Sequence, residues 1–169
     1  LTNVPFVFPT HQGRAAERIL CAIVPLRGRV VVSNGLFATT RANIEAAGAT
    51  GVDLPTTGSG PFGGDIDLEA LDERLARGDV AMLVMTVTNN ALGGQPVSLA
   101  NLREASRRAR EAGALVVLDA CRFAENAWRI HRHERSASEL GLREIVHAMF
   151  ATCDVFTMSA KKDGIVNVG

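Results

Sequence analysis

The sequence predicts an α/β domain, a mostly parallel sheet with helices on both faces. Three observations carry that expectation. Short apolar runs alternate with amphipathic helical patterns along the chain. Two of the runs, Val80–Thr88 (VAMLVMTVT) and Ala114–Asp119 (ALVVLD), are nearly continuous in apolar residues, as strands buried on both faces are. Gly48, Gly78 and Gly113 each close a helical pattern, where a left-handed residue ends a helix at least cost.

The elements follow in order. Val4–Pro9 reads as a short strand. Arg14–Val24 reads as a helix, with apolar Ala15, Ile19, Ala22 and Ile23 near helical spacing. Arg29–Ser33 (RVVVS) is a buried-type strand, Thr39–Ala47 a helix and Thr50–Leu54 a strand. The segment Thr56–Gly64 is rich in chain breakers and reads as a loop. Asp67 has the character of an N-cap for a helix Leu68–Arg77. Strand Val80–Thr88 is followed by a helix capped by Ser98 and running to about Ala112, then by strand Ala114–Asp119. Helical patterns fill Phe123–His133 and Ser138–Phe150. Cys153–Ser159 (CDVFTMS) is a further strand, and Ile165–Val168 the start of another.

The chain has 169 residues, enough for one domain, with 47% apolar and 21% charged residues. Its 18 Lys plus Arg balance 18 Asp plus Glu. That leaves no basic face for nucleic acid or an anionic membrane. The longest apolar run is far too short to span a bilayer. Cys21, Cys121 and Cys153 are far apart and form no CxxC, so they read as free thiols of a reducing, cytoplasmic compartment. No secretory leader is visible. The chain starts without Met and stops at Gly169 just after an apolar segment, which reads as a fragment.

In open α/β sheets, ligands sit beyond the carboxyl ends of the strands. Polar or charged residues gather at five such ends: His11-Gln12-Gly13-Arg14, Asn34-Gly35-Leu36-Phe37, Asn89 to Pro96, Asp119 with Arg122, and Lys161-Lys162-Asp163. Adjacent lysines lower each other's pKa, and a lysine that sheds its proton is a nucleophile able to form a Schiff base. As plain surface charge, the pair would have no such role. Asp119 either caps the next helix or pairs with a cationic ring nitrogen, as pyridoxal phosphate (PLP) chemistry requires. Arg122 suits an anionic oxygen or is a solvated helix residue. Gly13 at a strand-to-helix junction offers backbone N–H groups to a phosphate, and Arg14 adds a forked donor. Phe37 either stacks on an aromatic cofactor or packs in the core. His11 is a candidate base or a structural residue. His131 and His133 do not share a helix face and make a poor metal pair. The arginines at 103, 107, 108 and 110 with Glu104 and Glu111 form a solvated helix face. No GxxxxGK[ST] or GxSxG occurs, which disfavours P-loop NTPases and α/β-hydrolases.

Six ordered motifs resemble the tryptophanase and tyrosine phenol-lyase family of PLP-dependent β-eliminating lyases. They are Pro9-Thr10-His11-Gln12-Gly13-Arg14, Phe37-Ala38-Thr39-Thr40-Arg41, Gly64-Asp65-Ile66-Asp67-Leu68, Gly93 to Asn101, Arg122-Phe123-Ala124-Glu125-Asn126-Ala127 and Met158-Ser159-Ala160-Lys161-Lys162-Asp163. The resemblance runs from Val7 to Gly169 and implies the large domain of a fold type I (aspartate-aminotransferase-like) enzyme. Residues 1–169 would then be a partial PLP-binding domain, lacking an N-terminal segment and a C-terminal small domain.

By position, the resemblance implies that Lys162 is the Schiff-base lysine and Lys161 its catalytic neighbour. Gln12, Gly13, Arg14 and Ser159 would bind the phosphate, and Phe37 would stack on the ring. Asn90 and Arg122 would meet the phenolic oxygen, and Asp119 the pyridinium. Asn167 would lend a backbone carbonyl to a monovalent cation, K+. The implied reaction is β-elimination. The amino-acid substrate displaces Lys162, the α-proton is removed, indole or phenol leaves, and pyruvate and ammonia remain. A tetramer is implied as well. Ala38 stands where tryptophanases carry Asp and tyrosine phenol-lyases Thr. Residues 159–163 and 122–127 look more like tryptophanase, while 144–150 and 166–169 look more like tyrosine phenol-lyase. Tryptophan, tyrosine and another β-substituted amino acid, with a related elimination or aldolase-like cleavage, all remain open, as does an inactive cofactor-binding fragment.

Overall fold

The computed structural model describes residues 4–58 and 60–167. A five-stranded, all-parallel sheet forms the centre: β1 (Val30–Ser33), β2 (Thr50–Asp53), β3 (Val80–Thr86), β4 (Leu115–Asp119) and β5 (Val155–Thr157), in spatial order β2-β1-β3-β4-β5. Six helices accompany it: α1 (Gly13–Ile23), α2 (Ala38–Ala46), α3 (Leu68–Leu75), α4 (Leu99–Glu111), α5 (Phe123–His133) and α6 (Leu142–Phe150). The predicted α/β class is therefore the observed one.

Alternation along the strands sorts the core into two layers. Val30, Val32, Leu83, Met85, Val116 and Leu118 face one cluster, built with Leu71, Leu102, Ile130 and Ile145 from α3 to α6. Val31, Val84 and Val117 face the other, with Leu20 and Cys21 of α1 and Ile44 of α2. The predicted caps form. Asp67 Oδ1 accepts from the N–H groups of Glu69 and Ala70, and Ser98 Oγ from that of Asn101. Arg107 pairs with Glu104 and Glu111, as a solvated face should.

Several boundaries differ. Residues 4–9 are not a strand. Pro5 and Pro9 lack the N–H a ladder needs, and Phe6 and Phe8 are exposed. The apolar face expected on α1 is not the buried one: Leu20 and Cys21 are buried, while Ile19 and Ile23 are exposed. The pattern at 138–150 is interrupted by Gly141, a poor helix former. A 3-10 turn occupies Arg135–Ala137, and the helix starts at Leu142, where Glu144 accepts from the Gly141 N–H at 2.7 Å. β5 is an edge strand and ends at Thr157, opposite the last residue of β4. Residues 165–167 form no strand, and Ile165 is left-handed at φ 52°. Residues 1–3, 59 and 168–169 of the sequence reading lie outside the described residues. No described helix is long and apolar enough to cross a membrane. All three cysteines are free thiols.

Candidate active site

The sequence itself builds a cleft beyond the carboxyl edge of the sheet. β3, β4 and β5 end in polar residues there, and α1 and α2 begin there. The cleft is a cavity of about 270 Å³. Gln12, Gly13 and Arg14 line it from the start of α1, and Phe37 and Thr39 from the start of α2. Thr86, Thr88 and Asn90 follow β3, Asp119, Cys121 and Arg122 follow β4, and Thr157, Met158, Ser159, Lys161 and Lys162 follow β5. Ten residues singled out by the sequence thus meet at one cavity. Asn167 is exposed and lines neither this cavity nor the neighbouring one, and His11 is likewise exposed and outside both. Asn34 and Asn89 serve the backbone. Asn34 Nδ2 donates to the carbonyls of Gly64 and Thr86, and Asn89 Nδ2 to that of Asn34.

Asp119 ends β4 and is 7% exposed. It caps no helix; the N-cap of α5 is Arg122. Burial pushes its carboxyl up. The Cys121 thiol, which donates to Oδ1 at 3.0 Å, and the charges of Lys162 and Arg122 act the other way. Burial also raises the Cys121 thiol to about 12, with the Asp119 charge adding to it, so that thiol stays a donor. A carboxylate this poorly solvated has reason to take a cationic partner from a ligand.

The start of α1 is shaped for an anion. Gln12 is its N-cap and makes no side-chain cap bond. A Cβ on Gly13 would lie 3.1 Å from Ser159 Cβ, so glycine lets the helix end close against that loop. Thr88 Oγ1 is buried without a hydrogen-bond partner, on the wall shared with a second cavity of about 670 Å³. Asn90 and Arg122 belong to both, and Glu125, Arg129 and His133 lie in the second. A cationic ring nitrogen for Asp119, a phosphate for the start of α1 and an aromatic face for Phe37 together describe PLP, and the residues present fit it.

Lys162 is half-buried in a tight turn. Its N–H donates to the Ser159 carbonyl at 3.1 Å, and the Val166 N–H to that of Ala160 at 3.3 Å. A Cβ on Gly164 would come within 2.5 Å of the Ala160 carbonyl, so glycine is required there. Asp163 Oδ2 accepts from the N–H groups of Ala124 and Glu125 and thereby caps α5. Lys161 is exposed at the cavity rim.

Sequence reasoning missed Glu17, Thr86, Thr88, Cys121, Thr157 and Met158 as lining residues. The signal for Glu17 was its spacing, one turn beyond Arg14 on α1. Cys121 lies two residues past Asp119, on the same strand-end turn.

The sheet order and the carboxyl-edge site are those of an open α/β architecture, which solved fold type I enzymes share. The SepCysS–SepCysE N-terminal domain complex superposes on 95% of this chain and 39% of that one, with a TM-score of 0.69 at 16% identity, a likeness of fold alone. The chain belongs to the β-eliminating lyase family, whose model matches residues 1–169. Tryptophanase of Salinibacter ruber is 51% identical over 98% of this chain, and tyrosine phenol-lyase of Clostridium tetani 41% identical over 96%. The chain spans 37–39% of the length of the curated relatives it matches.

Proposed function

We propose that the full-length protein is a PLP-dependent lyase that eliminates the aromatic β-substituent of L-tryptophan as indole. The observation supporting this is the gathering of Gln12, Gly13, Arg14, Phe37, Asp119 and Lys162 around one cavity, in a chain of this family. When bound, PLP supplies an electron sink for the carbanion left at the substrate's α-carbon. Arg14, Ser159 and the start of α1 bind its phosphate. Phe37 covers the ring. Asp119 keeps the ring nitrogen protonated, and Asn90 with Arg122 holds the phenolic oxygen. Lys162 would hold the cofactor through its amine and, when that amine is free, accept the α-proton, with Lys161 as its cationic neighbour. Tyrosine with phenol release is the second reading, favoured by the tyrosine phenol-lyase relative. Assembly into an oligomer, a cytoplasmic location and a monovalent cation held in part by the Asn167 carbonyl complete the proposal.

The test uses the full-length protein with PLP and a panel of tryptophan, tyrosine and non-aromatic β-substituted amino acids. Indole with stoichiometric pyruvate is the expected result. Phenol from tyrosine alone selects the second reading. Pyruvate from non-aromatic substrates only, or glycine as product, overturns both. Rates in potassium against choline salts test the cation.

A further inference from the structure

Glu17 is a buried-side carboxylate on the cavity wall that no step above uses. It sits on α1, one turn past Arg14, yet its partners all belong to α2. Oε2 accepts from the Thr39 hydroxyl at 2.9 Å, Oε1 from the Thr40 hydroxyl at 2.9 Å, and Asn43 Nδ2 reaches Oε2 at 3.5 Å. Burial raises its carboxyl, while the hydroxyls of Thr40 and Thr39 pull the other way and the Asp119 charge adds to the rise. A group held at that solvation cost is retained for what it binds.

The two helices it joins carry different halves of the cofactor site. α1 begins with Gln12, Gly13 and Arg14, and α2 begins one residue after Phe37, its N-cap. Neither helix start has a side-chain cap. The two pack against each other on the thinly covered face of the sheet, where Ile19 and Ile23 are exposed. Leu20 and Cys21 of α1 share an apolar cluster with Ile44 of α2, and Glu17 adds directional bonds between the two helices at their cavity end.

We propose that Glu17 is a positioning residue: it clamps α1 to α2 and so sets the separation between the phosphate-binding end of α1 and the ring of Phe37. This rests on the PLP reading above. PLP must satisfy both ends at once, whereas inorganic phosphate engages the start of α1 and Ser159 without Phe37. Loosening the clamp should therefore weaken PLP binding and spare phosphate binding.

The experiment titrates apo full-length protein with PLP and, separately, with inorganic phosphate by calorimetry, and records the circular dichroism of the bound cofactor. Glu17→Ala is expected to weaken PLP by about tenfold or more and to reduce the cofactor's dichroic band, with phosphate affinity held within about threefold. Glu17→Gln, which keeps an acceptor for one hydroxyl and can donate to the other, is expected to stay within about threefold of wild type for both ligands. PLP affinity unchanged in Glu17→Ala overturns the inference. So does parallel loss of PLP and phosphate, which marks a general structural role. If Glu17→Ala does not fold, Thr40→Val removes one clamp bond from the α2 side at a residue outside the cavity. A loss of PLP affinity of about threefold supports the clamp, and no loss overturns it. Wild-type protein that binds phosphate but not PLP refutes the parent reading, and the clamp with it; wild-type PLP binding unaffected by these variants refutes the clamp alone.

Discussion

The two faces of the sheet are covered by unlike layers. Toward α3–α6, strand side chains such as Leu83 and Leu118 meet four helices and are sealed from solvent. Toward α1 and α2, the cluster is smaller, and α1 leaves Ile19 and Ile23 in the open. The cavity-lining residues divide accordingly. Those that start α1 and α2 belong to the thin side, and those that end β3, β4 and β5 belong to strands anchored by the thick one. The difference teaches that folding energy and ligand geometry come from separate parts of the chain. The thick layer holds the strand ends still. The thin layer has a smaller apolar cluster, supplemented by polar bonds such as those of Glu17.

The largest effect expected is at the site itself. Lys162→Ala should abolish the absorbance band of the lysine-bound cofactor and reduce turnover by several orders of magnitude. The thermal transition should stay near wild type, because Lys162 is only half-buried. A band that persists would sink the assignment of Lys162. Next comes Leu83→Ala, on the thick side and fully buried, which should cost about 2–5 kcal/mol in a denaturant titration. A cost below about 1 kcal/mol would erase the contrast between the faces.

A pH experiment sharpens the thick side further. Asp65 accepts from the Ser98 N–H at 2.7 Å and from the Ser98 hydroxyl at 3.0 Å, tying the loop before α3 to the cap of α4. Burial outweighs those bonds and raises its carboxyl from 3.8 to about 6. The folded state therefore holds this proton more tightly than the unfolded chain. Its contribution is most favourable below pH 3.8 and is lost as pH rises to about 6. Wild type minus Asp65→Asn stability, followed by denaturant titration, should fall across that window; a flat or rising difference contradicts it. The smallest effect belongs to the thin side. Ile23→Ser should change stability by less than about 0.5 kcal/mol. A larger cost would mean that another segment or another copy covers α1 in the whole protein.

Most of the architecture was legible in the sequence because buried parallel strands leave long apolar runs and helices end at glycine. The exceptions have physical causes. Val4–Pro9 has strand-like composition, but two prolines that cannot donate to a ladder. The apolar pattern on α1 marks the exposed side, because periodicity gives a face without saying what covers it. The lining of the cavity was legible where polar residues follow a strand end, as at Asp119 and Lys162. It was not legible at Glu17, Thr88 or Cys121, which matter through contacts made across the fold. Ala38, singled out as a departure from the family, is exposed at the start of α2 and lines neither cavity.

Asp163 follows Lys162 directly and caps the helix that Arg122 begins. Lysine and arginine therefore share one rigid mount. Loss of the Asp163 carboxylate would displace both side chains together rather than either one alone.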